Sequence, residues 1–142
     1  MTLPTGTVTF LFTDIEGSTK LAQGHPDKWE SLRERHHVIL QSAIEAHNGY
    51  VFQIIGDAFC VAFHTAGDAL RAAVKSQIDL HNEDWGDMPI KVRMGIHTGE
   101  AELREGDYYG PNVNLAARVM GLGYGGQILL SEITAALIKN HP

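Results

Sequence analysis

The feature that most constrains the fold is a strand–turn–strand segment with a long helical pattern on each side of it. Residues 50–55 and 58–63 are rich in apolar and aromatic side chains, and Gly56-Asp57 lies between them. Two strands joined by two such residues predict an antiparallel hairpin. Residues 26–49, which begin with Pro and end with Asn-Gly, and residues 66–82 carry apolar residues at helical spacing. Each therefore predicts a long helix.

The segments on either side of this unit complete the pattern. Residues 7–13 are β-branched or aromatic apart from Leu11, which predicts a buried strand. Residues 89–98 and 100–103 are predicted to be two strands joined at Gly99, so that Gly-Ile-His-Thr-Gly forms a turn containing a structural His97. A helix within residues 109–120, a short strand at 127–130 and a helix capped by Ser131 follow. The order predicts an α+β fold with a ferredoxin-like βαββαβ core, an antiparallel sheet with helices on one face.

Length and composition limit the class of protein. A chain of 142 residues, 44% hydrophobic and 20% charged, fits one compact globular domain. The net charge of -6 argues against a nucleic-acid partner, but a bound cation could still attract a small phosphate ligand. The only cysteine, Cys60, is interpreted as a buried structural thiol. The first six residues have neither a basic segment nor a long apolar one, so we do not expect them to form a signal peptide. No apolar run approaches the roughly 20 residues of a membrane span, so we expect a cytoplasmic domain.

Two carboxylates are predicted to lie at one end of the sheet. Asp14 follows the first strand and Asp57 stands in the hairpin turn. Those strands are neighbours in a ferredoxin-like sheet, so the carboxylates would repel each other without a cation between them. Oxygen ligands favour Mg²⁺ or Mn²⁺, and the backbone carbonyl of Ile15 is a further candidate ligand. The spacing alone leaves open that Asp14 caps a helix and that Asp57 is an ordinary turn residue.

Two further groups of residues indicate a phosphate-containing ligand. Gly17, Ser18 and Thr19 follow the first acidic residue and open a helix, where backbone N–H groups can bind an anion. Asn114 and Arg118 are four residues apart, so they share one helix face and could hold a ribose oxygen and a phosphate oxygen. A capped helix start and a solvated polar stripe are the alternative interpretations. A cation site beside a phosphate site predicts a metal–triphosphate ligand.

Six segments follow one another along the chain: residues 12–19 (FTDIEGST), 55–59 (IGDAF), 93–100 (RMGIHTGE), 107–111 (DYYGP), 113–118 (VNLAAR) and 125–131 (GGQILLS). In this order they resemble the class III adenylyl and guanylyl cyclase catalytic domain, in the bacterial subclass with an Asp-Tyr-Tyr-Gly-Pro segment. The resemblance covers nearly the whole chain. It implies conversion of ATP to 3′,5′-cyclic AMP and pyrophosphate with two Mg²⁺ or Mn²⁺ ions, at sites that two protomers of a homodimer share.

The resemblance also assigns roles to single positions. Asp14 and Asp57 match the two metal-binding aspartates of the family. Asn114 matches the residue that orients the ribose, and Arg118 matches the residue that stabilises the phosphate charge in the transition state. In the family these two pairs come from different protomers, and this chain carries both pairs. The resemblance therefore implies a two-fold symmetric homodimer with two sites at its interface.

The base-reading positions depart from the family pattern. Asp107 matches a position where Asp implies adenine, because a carboxylate accepts from the adenine amino group. The second position is usually Lys in adenylyl cyclases, and here it is Gln53, whose amide could donate to adenine N1 or to guanine O6. We expect ATP to be preferred with weakened discrimination against GTP. Alternatively, Gln53 is a strand residue that points to solvent.

Other functions remain open at this stage. Family members usually continue into a closing hairpin whose Lys touches the triphosphate, whereas this chain ends at residue 142, so we expect a truncated domain or one that lacks this tail. A catalytically weak or inactive cyclase-like domain that binds nucleotide or regulates a partner is the main alternative. A diguanylate cyclase or polymerase-palm relative would share the core. The hairpin tip here reads Ile-Gly-Asp-Ala-Phe, however, and lacks the Gly-Gly-Asp/Glu-Glu-Phe signature of such relatives. A pure dimerisation module would not need the two carboxylates.

Overall fold

A six-stranded sheet forms the centre of the fold in the computed structural model, which describes residues 2–140. Met1, His141 and Pro142 lie outside the described residues, so the expectation of a truncated domain or a missing tail is not tested here. The elements in chain order are β1 (Gly6–Ile15), α1 (Ser18–Gly24), α2 (Pro26–Ala46), β2 (Tyr50–Ile55), β3 (Ala58–Phe63), α3 (Ala66–Asn82), β4 (Val92–Arg104), β5 (Asp107–Tyr109), α4 (Pro111–Gly121), β6 (Ile128–Leu130) and α5 (Glu132–Asn140).

The topology confirms the predicted ferredoxin-like core. The strand order is β2-β3-β1-β4-β5, and all of these neighbours are antiparallel. The hairpin of β2 and β3 and the helix α3 have the bounds that the sequence predicts. One strand lies outside the antiparallel pattern, because β6 pairs in parallel with β4, from Met94 opposite Ile128 to Ile96 opposite Leu130. The core places the end of β1 beside the β2–β3 turn.

The predicted break at Gly99 is wrong, because β4 is one strand of 13 residues. It pairs with β1 without interruption, from Gly6 opposite Ala101 to Ile15 opposite Val92. This ladder keeps the backbone extended through Gly99, so the Gly-Ile-His-Thr-Gly segment lies within a strand and not in a turn. The chain reverses instead after Arg104, where the short β5 pairs back onto the end of β4.

Helices cover both faces of the sheet, so the prediction of helices on one face fails for α4. The strands of the core are buried on both sides, which requires a covering layer on each. Against α2 and α3 pack the side chains Leu11, Ile15, Val61, Phe63, Met94 and Ile96. On the opposite face, Val8, Phe10, Phe12, Cys60, Ala62 and Tyr108 form a second cluster with Ala116 of α4. The two layers position α4 away from the other long helices.

Two local details differ from the prediction or extend it. The turn after β1 is short, and α1 begins after Gly17, which has a φ of 68° and makes no side-chain capping hydrogen bond. At the other end of the chain, the hydroxyl of Ser131 bonds the side chains of His97 and Thr134 before α5 begins.

None of the helices described for residues 2–140 combines the length and the apolar character that crossing a bilayer needs.

Candidate active site

The two predicted metal ligands lie side by side at one end of the sheet. Asp14 is the last residue but one of β1, and Asp57 lies in the turn between β2 and β3. The Oδ2 atom of Asp57 accepts a hydrogen bond of 2.6 Å from the backbone N–H of Ile15, the residue after Asp14. The turn is therefore tied directly to the strand end. That these residues bind a metal stays a prediction.

Arg93 holds the carboxylate of Asp14. These residues are directly opposite each other in the β1–β4 ladder, and Arg93 donates from Nε to Oδ1 at 2.7 Å and from Nη2 to Oδ2 at 2.5 Å. The hydrogen bond to Asp14 raises the pKa of Arg93, against the opposing effect of burial. Asp14 does not cap α1, because Gly17 is the N-cap residue of that helix and no side chain makes a capping hydrogen bond there. Sequence reasoning missed this pair, because the register that sets it depends on the uninterrupted β4.

A second arginine lies beneath the turn that carries Asp57. Arg33 of α2 donates from Nη1 to the backbone carbonyl of Gly56 at 3.2 Å and pairs through Nη2 with Glu30 at 2.9 Å. The hydrogen bond to Glu30 raises the pKa of Arg33, and the charge of Asp57 contributes in the same direction. Arg33 carried no signal in the sequence beyond its place in a helical pattern. A cation thus lies next to each of the two carboxylates.

The donor atoms at this end of the sheet fit Mg²⁺ or Mn²⁺. Within residues 2–140, no group of three or more His, Cys, Asp or Glu side chains could hold a metal ion. Asp14 and Asp57 offer two carboxylates, and the backbone N–H of Ile15, next to Asp14, bonds the carboxylate of Asp57. Mg²⁺ is commonly bound by one or two carboxylates together with phosphate oxygens of the substrate, and does not need a cage of protein ligands. This arrangement suits an ion that arrives with a phosphate ligand.

The predicted phosphate-binding residues lie at the start of α1, directly after these carboxylates. Gly17 has a left-handed backbone, and a Cβ added there would meet nothing within 4 Å, so the space beside it is open. The first turn of α1 contains no acidic residue, and Gly17 and Thr19 are exposed while Ser18 is partly buried. Backbone N–H groups at a helix start favour an anion. Their role in binding a triphosphate stays a prediction.

The helix α4 presents two opposite faces. Asn112, Ala116 and Met120 point towards the sheet, and Ala116 is fully buried. Asn114 and Arg118, four residues apart, are exposed on the outer face as the spacing predicts. Within residues 2–140, no hydrogen bond or ion pair joins these two residues to the carboxylate end of the sheet. Their catalytic roles stay predictions.

A bulge in β2 turns Gln53 towards the same face as its cross-strand partner. The register of β2 against β3 shifts between Val51 and Gln53, so that Gln53 lies opposite Cys60. Directly opposite residues share a face of the sheet. Gln53 is exposed, and the charge of Asp107 adds to burial in raising the pKa of Cys60 to about 11. Gln53 therefore lies beside Cys60, and the charge of Asp107 acts on the same thiol. Their roles in base recognition stay predictions.

Comparison with known proteins identifies the family. The adenylate and guanylate cyclase catalytic domain matches residues 2–141, so the chain belongs to this family, the class III cyclases. An uncharacterized protein of Mycobacterium tuberculosis is 39% identical over 137 residues, which cover 95% of this chain and 46% of that protein. An adenylate cyclase of Lachancea kluyveri is 36% identical over 155 residues, which cover 91% of this chain and 8% of that protein. This chain thus spans less than half of these relatives.

Solved structures agree with the assignment. An adenylate cyclase of Trypanosoma brucei, determined in its monomeric state, has a TM-score of 0.88 at 28% identity, and the match covers 96% of this chain and 78% of that one. A protein of Silicibacter pomeroyi described as an adenylate/guanylate cyclase/hydrolase has a TM-score of 0.83 at 27% identity, covering 96% of this chain and 81% of that one. Both the fold and the family are therefore those of cyclase catalytic domains.

Proposed function

We propose that this domain converts ATP to 3′,5′-cyclic AMP and pyrophosphate. The observation that carries the proposal is the pair of carboxylates, Asp14 and Asp57, tied together through the backbone of Ile15 beside an open helix start. Support also comes from the relatives in Lachancea kluyveri and Trypanosoma brucei, which are named adenylate cyclases.

The residues divide the work between binding and transition-state stabilisation. Asp14 and Asp57 hold Mg²⁺ or Mn²⁺, which when bound lowers the pKa of the ribose 3′-hydroxyl and neutralises charge on the triphosphate. The N–H groups at Gly17, Ser18 and Thr19 bind phosphate oxygens. Asn114 orients the ribose, and Arg118 stabilises the charge that develops at the α-phosphate. Positioning and electrostatic stabilisation together supply most of the rate.

Each site is proposed to combine residues of two protomers. Asn114 and Arg118 are exposed and make no hydrogen bond or ion pair with the carboxylates in the described part of the chain. A two-fold homodimer would bring the outer face of α4 of one protomer to the carboxylates of the other. Mixing inactive Asp14→Ala and Asn114→Ala chains should restore activity, because each heterodimer then contains one intact site. Mixtures as inactive as the separate variants would refute shared sites.

The nucleotide preference is proposed to favour ATP without excluding GTP. Oδ1 of Asp107 accepts a hydrogen bond of 2.8 Å from the backbone N–H of Tyr108, which leaves Oδ2 available to the adenine amino group. Gln53 can rotate its amide to serve either base. The ratio of kcat/KM for ATP to that for GTP should therefore be modest, and it should rise in Gln53→Lys, because an ammonium only donates and cannot accept from guanine N1–H as the amide oxygen of Gln53 can. An unchanged ratio would argue against a role of Gln53 in base recognition.

The decisive experiment is an assay of the purified chain with ATP and with GTP, each with Mg²⁺ and with Mn²⁺. Cyclic AMP should form and should be abolished in Asp57→Asn. Asp79→Asn is a matched control, because Asp79 lies on α3 and, among the residues that the structure describes, forms an ion pair with Lys75 alone, at 2.9 Å. The replacement of the usual Lys by Gln53 favours a second candidate, a domain that binds nucleotide without turning it over. Metal-dependent ATP binding with no cyclic product at high protein concentration would support that candidate instead.

A further inference from the structure

A continuous series of side-chain hydrogen bonds runs from the centre of the sheet to the first turn of α4. Most of its members are almost fully buried: Thr9, Thr98 and Thr134 are at most 3% exposed and His97 is 9% exposed. The bonds join Thr9 to Thr98 (3.0 Å), Thr98 to Thr134 (2.9 Å), Thr134 to Ser131 (3.1 Å), Ser131 to Nδ1 of His97 (2.8 Å), Nε2 of His97 to Oδ1 of Asn112 (2.8 Å), and Nδ2 of Asn112 to the carbonyl of Glu100 (2.9 Å).

The last acceptor fixes the direction of the bonds around the histidine. The carbonyl of Glu100 can only accept, so the Asn112 amide must turn its NH₂ group there and its oxygen towards His97. Nε2 of His97 must therefore carry the proton. In a neutral ring Nδ1 is then an acceptor, and it takes the hydroxyl proton of Ser131.

The same reasoning fixes the hydroxyl groups. Because Ser131 has used its only proton on His97, its bond with Thr134 must use the Thr134 proton. Thr98 must then donate to Thr134, and Thr9 must donate to Thr98. All bonds run in one direction, an arrangement in which each bond polarises the next. A buried partner that loses its bond is costly, so the arrangement favours a single position of α4.

The backbone of β4 receives α4 at two glycines on either side of His97. A Cβ added at Gly99 would lie 2.3 Å from the side chain of Asn112, and one added at Gly95 would lie 2.3 Å from the backbone N of Met120. Gly95, His97 and Gly99 alternate along the strand, so all three face the helix. At the start of α4 the side chain of Asn112 therefore rests on the β4 backbone, and at its end the helix backbone at Met120 does so. His97 bonds Asn112 between these two contacts.

We propose that His97 is a positioning residue for cyclisation: through Asn112 it fixes the start of α4 on β4, and thereby places Asn114 and Arg118. The inference rests on the function proposed above. Asn112 faces the sheet while Asn114 and Arg118 face outwards on the same helix, so a shift at Asn112 moves both of them. Groups that act in the transition state are sensitive to displacements of about 1 Å, which can cost about a hundredfold in rate.

The test compares His97→Phe, which keeps a ring but removes both hydrogen bonds, with Asn112→Ala. Rates are expressed per site that binds 3′-deoxy-ATP, an analogue without the attacking hydroxyl, so that misfolded protein does not count. Both variants should lower kcat by about tenfold or more while KM for ATP changes by less than about threefold. The double variant should be no worse than the poorer single variant, because both remove the same bond. His64→Phe is the matched control, since His64 is exposed and its ring bonds the carbonyl of Thr2 and no other group in the described part of the chain.

Wild-type kcat per site in both His97→Phe and Asn112→Ala would overturn the proposal, as would fully additive losses. A readout without turnover separates this proposal from the proposed function. The ¹⁵N spectrum of the histidine rings should show a proton on Nε2 of His97, and Asn112→Ala should change this Nε2 signal. Hydrogen exchange at the start of α4 should also accelerate in both variants but not in His64→Phe. If the wild type makes no cyclic nucleotide while these signals appear, the function fails and the placement of α4 stands. A ring without a proton on Nε2 refutes the placement itself, because it could not donate to Asn112.

Discussion

Substitution of Gly95 by alanine should test how closely α4 is seated on the sheet. The new Cβ would lie 2.3 Å from N and 2.6 Å from Cα of Met120, and 2.9 Å from the carbonyl carbon of Val119. These neighbours are helix backbone, which cannot rotate away as a side chain can. Ordinary contact begins near 3.4 Å, so the end of α4 must move by roughly 1 Å. Overpacking of this kind costs about 1–3 kcal/mol.

The displaced end of the helix is the end that carries Arg118, two residues before Met120. Gly95→Ala should therefore lower the free energy of unfolding by about 1–3 kcal/mol in urea titrations, with no change in the m-value. It should also lower kcat by about tenfold to a hundredfold at saturating ATP. Gly121→Ala is the matched control, because Gly121 ends the same helix and a Cβ added there meets nothing within 4 Å. This control should retain stability and activity.

The reasoning is refuted if Gly95→Ala unfolds at the same urea concentration as the wild type and keeps its kcat. That result would mean that α4 tolerates a displacement of roughly 1 Å at no cost, against the close packing expected of a protein interior. A loss of stability with unchanged kcat per folded site would be informative in another way. It would retain the packing argument but separate the position of α4 from catalysis.

Three further outcomes are expected. Arg93→Gln should lower the free energy of unfolding by about 1–2 kcal/mol, because Asp14 loses its partner. The loss should be smaller in Mg²⁺, since a bound ion would also neutralise Asp14. An equal loss with and without Mg²⁺ would argue against an ion at Asp14. Burial lowers the pKa of His36 to about 3, so the unfolded chain binds the extra proton below pH 6.5. Stability should therefore fall by about 1 kcal/mol per pH unit from pH 6 to pH 4, and His36→Leu should flatten this dependence in urea titrations. Burial raises the pKa of the Cys60 thiol to about 11, so a disulfide reagent at pH 8 should label it only in urea, and rapid labelling of the native protein would contradict this.

The sequence predicts the core well where local signals and tertiary packing agree. The hairpin is fixed by two apolar runs around Gly56-Asp57, and the helix α3 by its periodicity, and both have the expected bounds. The proximity of Asp14 to Asp57 follows from that topology alone, because β1 pairs with β3. The contact through the N–H of Ile15 then shows how close the two residues are. The proximity of the two acidic residues could therefore be predicted from the strand topology.

Features that depend on strand register could not be predicted in this way. Arg93 meets Asp14 only because of the register of β4 against β1, and no local pattern of residues reveals that pairing. Gln53 faces Cys60 only because a bulge displaces the register after Val51. A shift of one residue reverses the face of every later side chain, so such contacts are settled by the whole sheet. The orientation of Gln53 and the pairing of Arg93 with Asp14 belong to this class.

The error at Gly99 has a physical cause that also explains the whole Gly-Ile-His-Thr-Gly segment. Glycine inside a strand pattern can mark a turn, but it equally marks a place where another backbone comes close, and here both glycines lie beneath α4. The intervening Ile96 and Thr98 face the layer of α2, α3 and α5. Ile96 and Thr98 therefore point to one face of the sheet, and Gly95, His97 and Gly99 point to α4 on the opposite face. The composition of the segment follows from burial on both faces, so substitutions here should affect activity through the placement of α4, without any contact between the segment and the nucleotide.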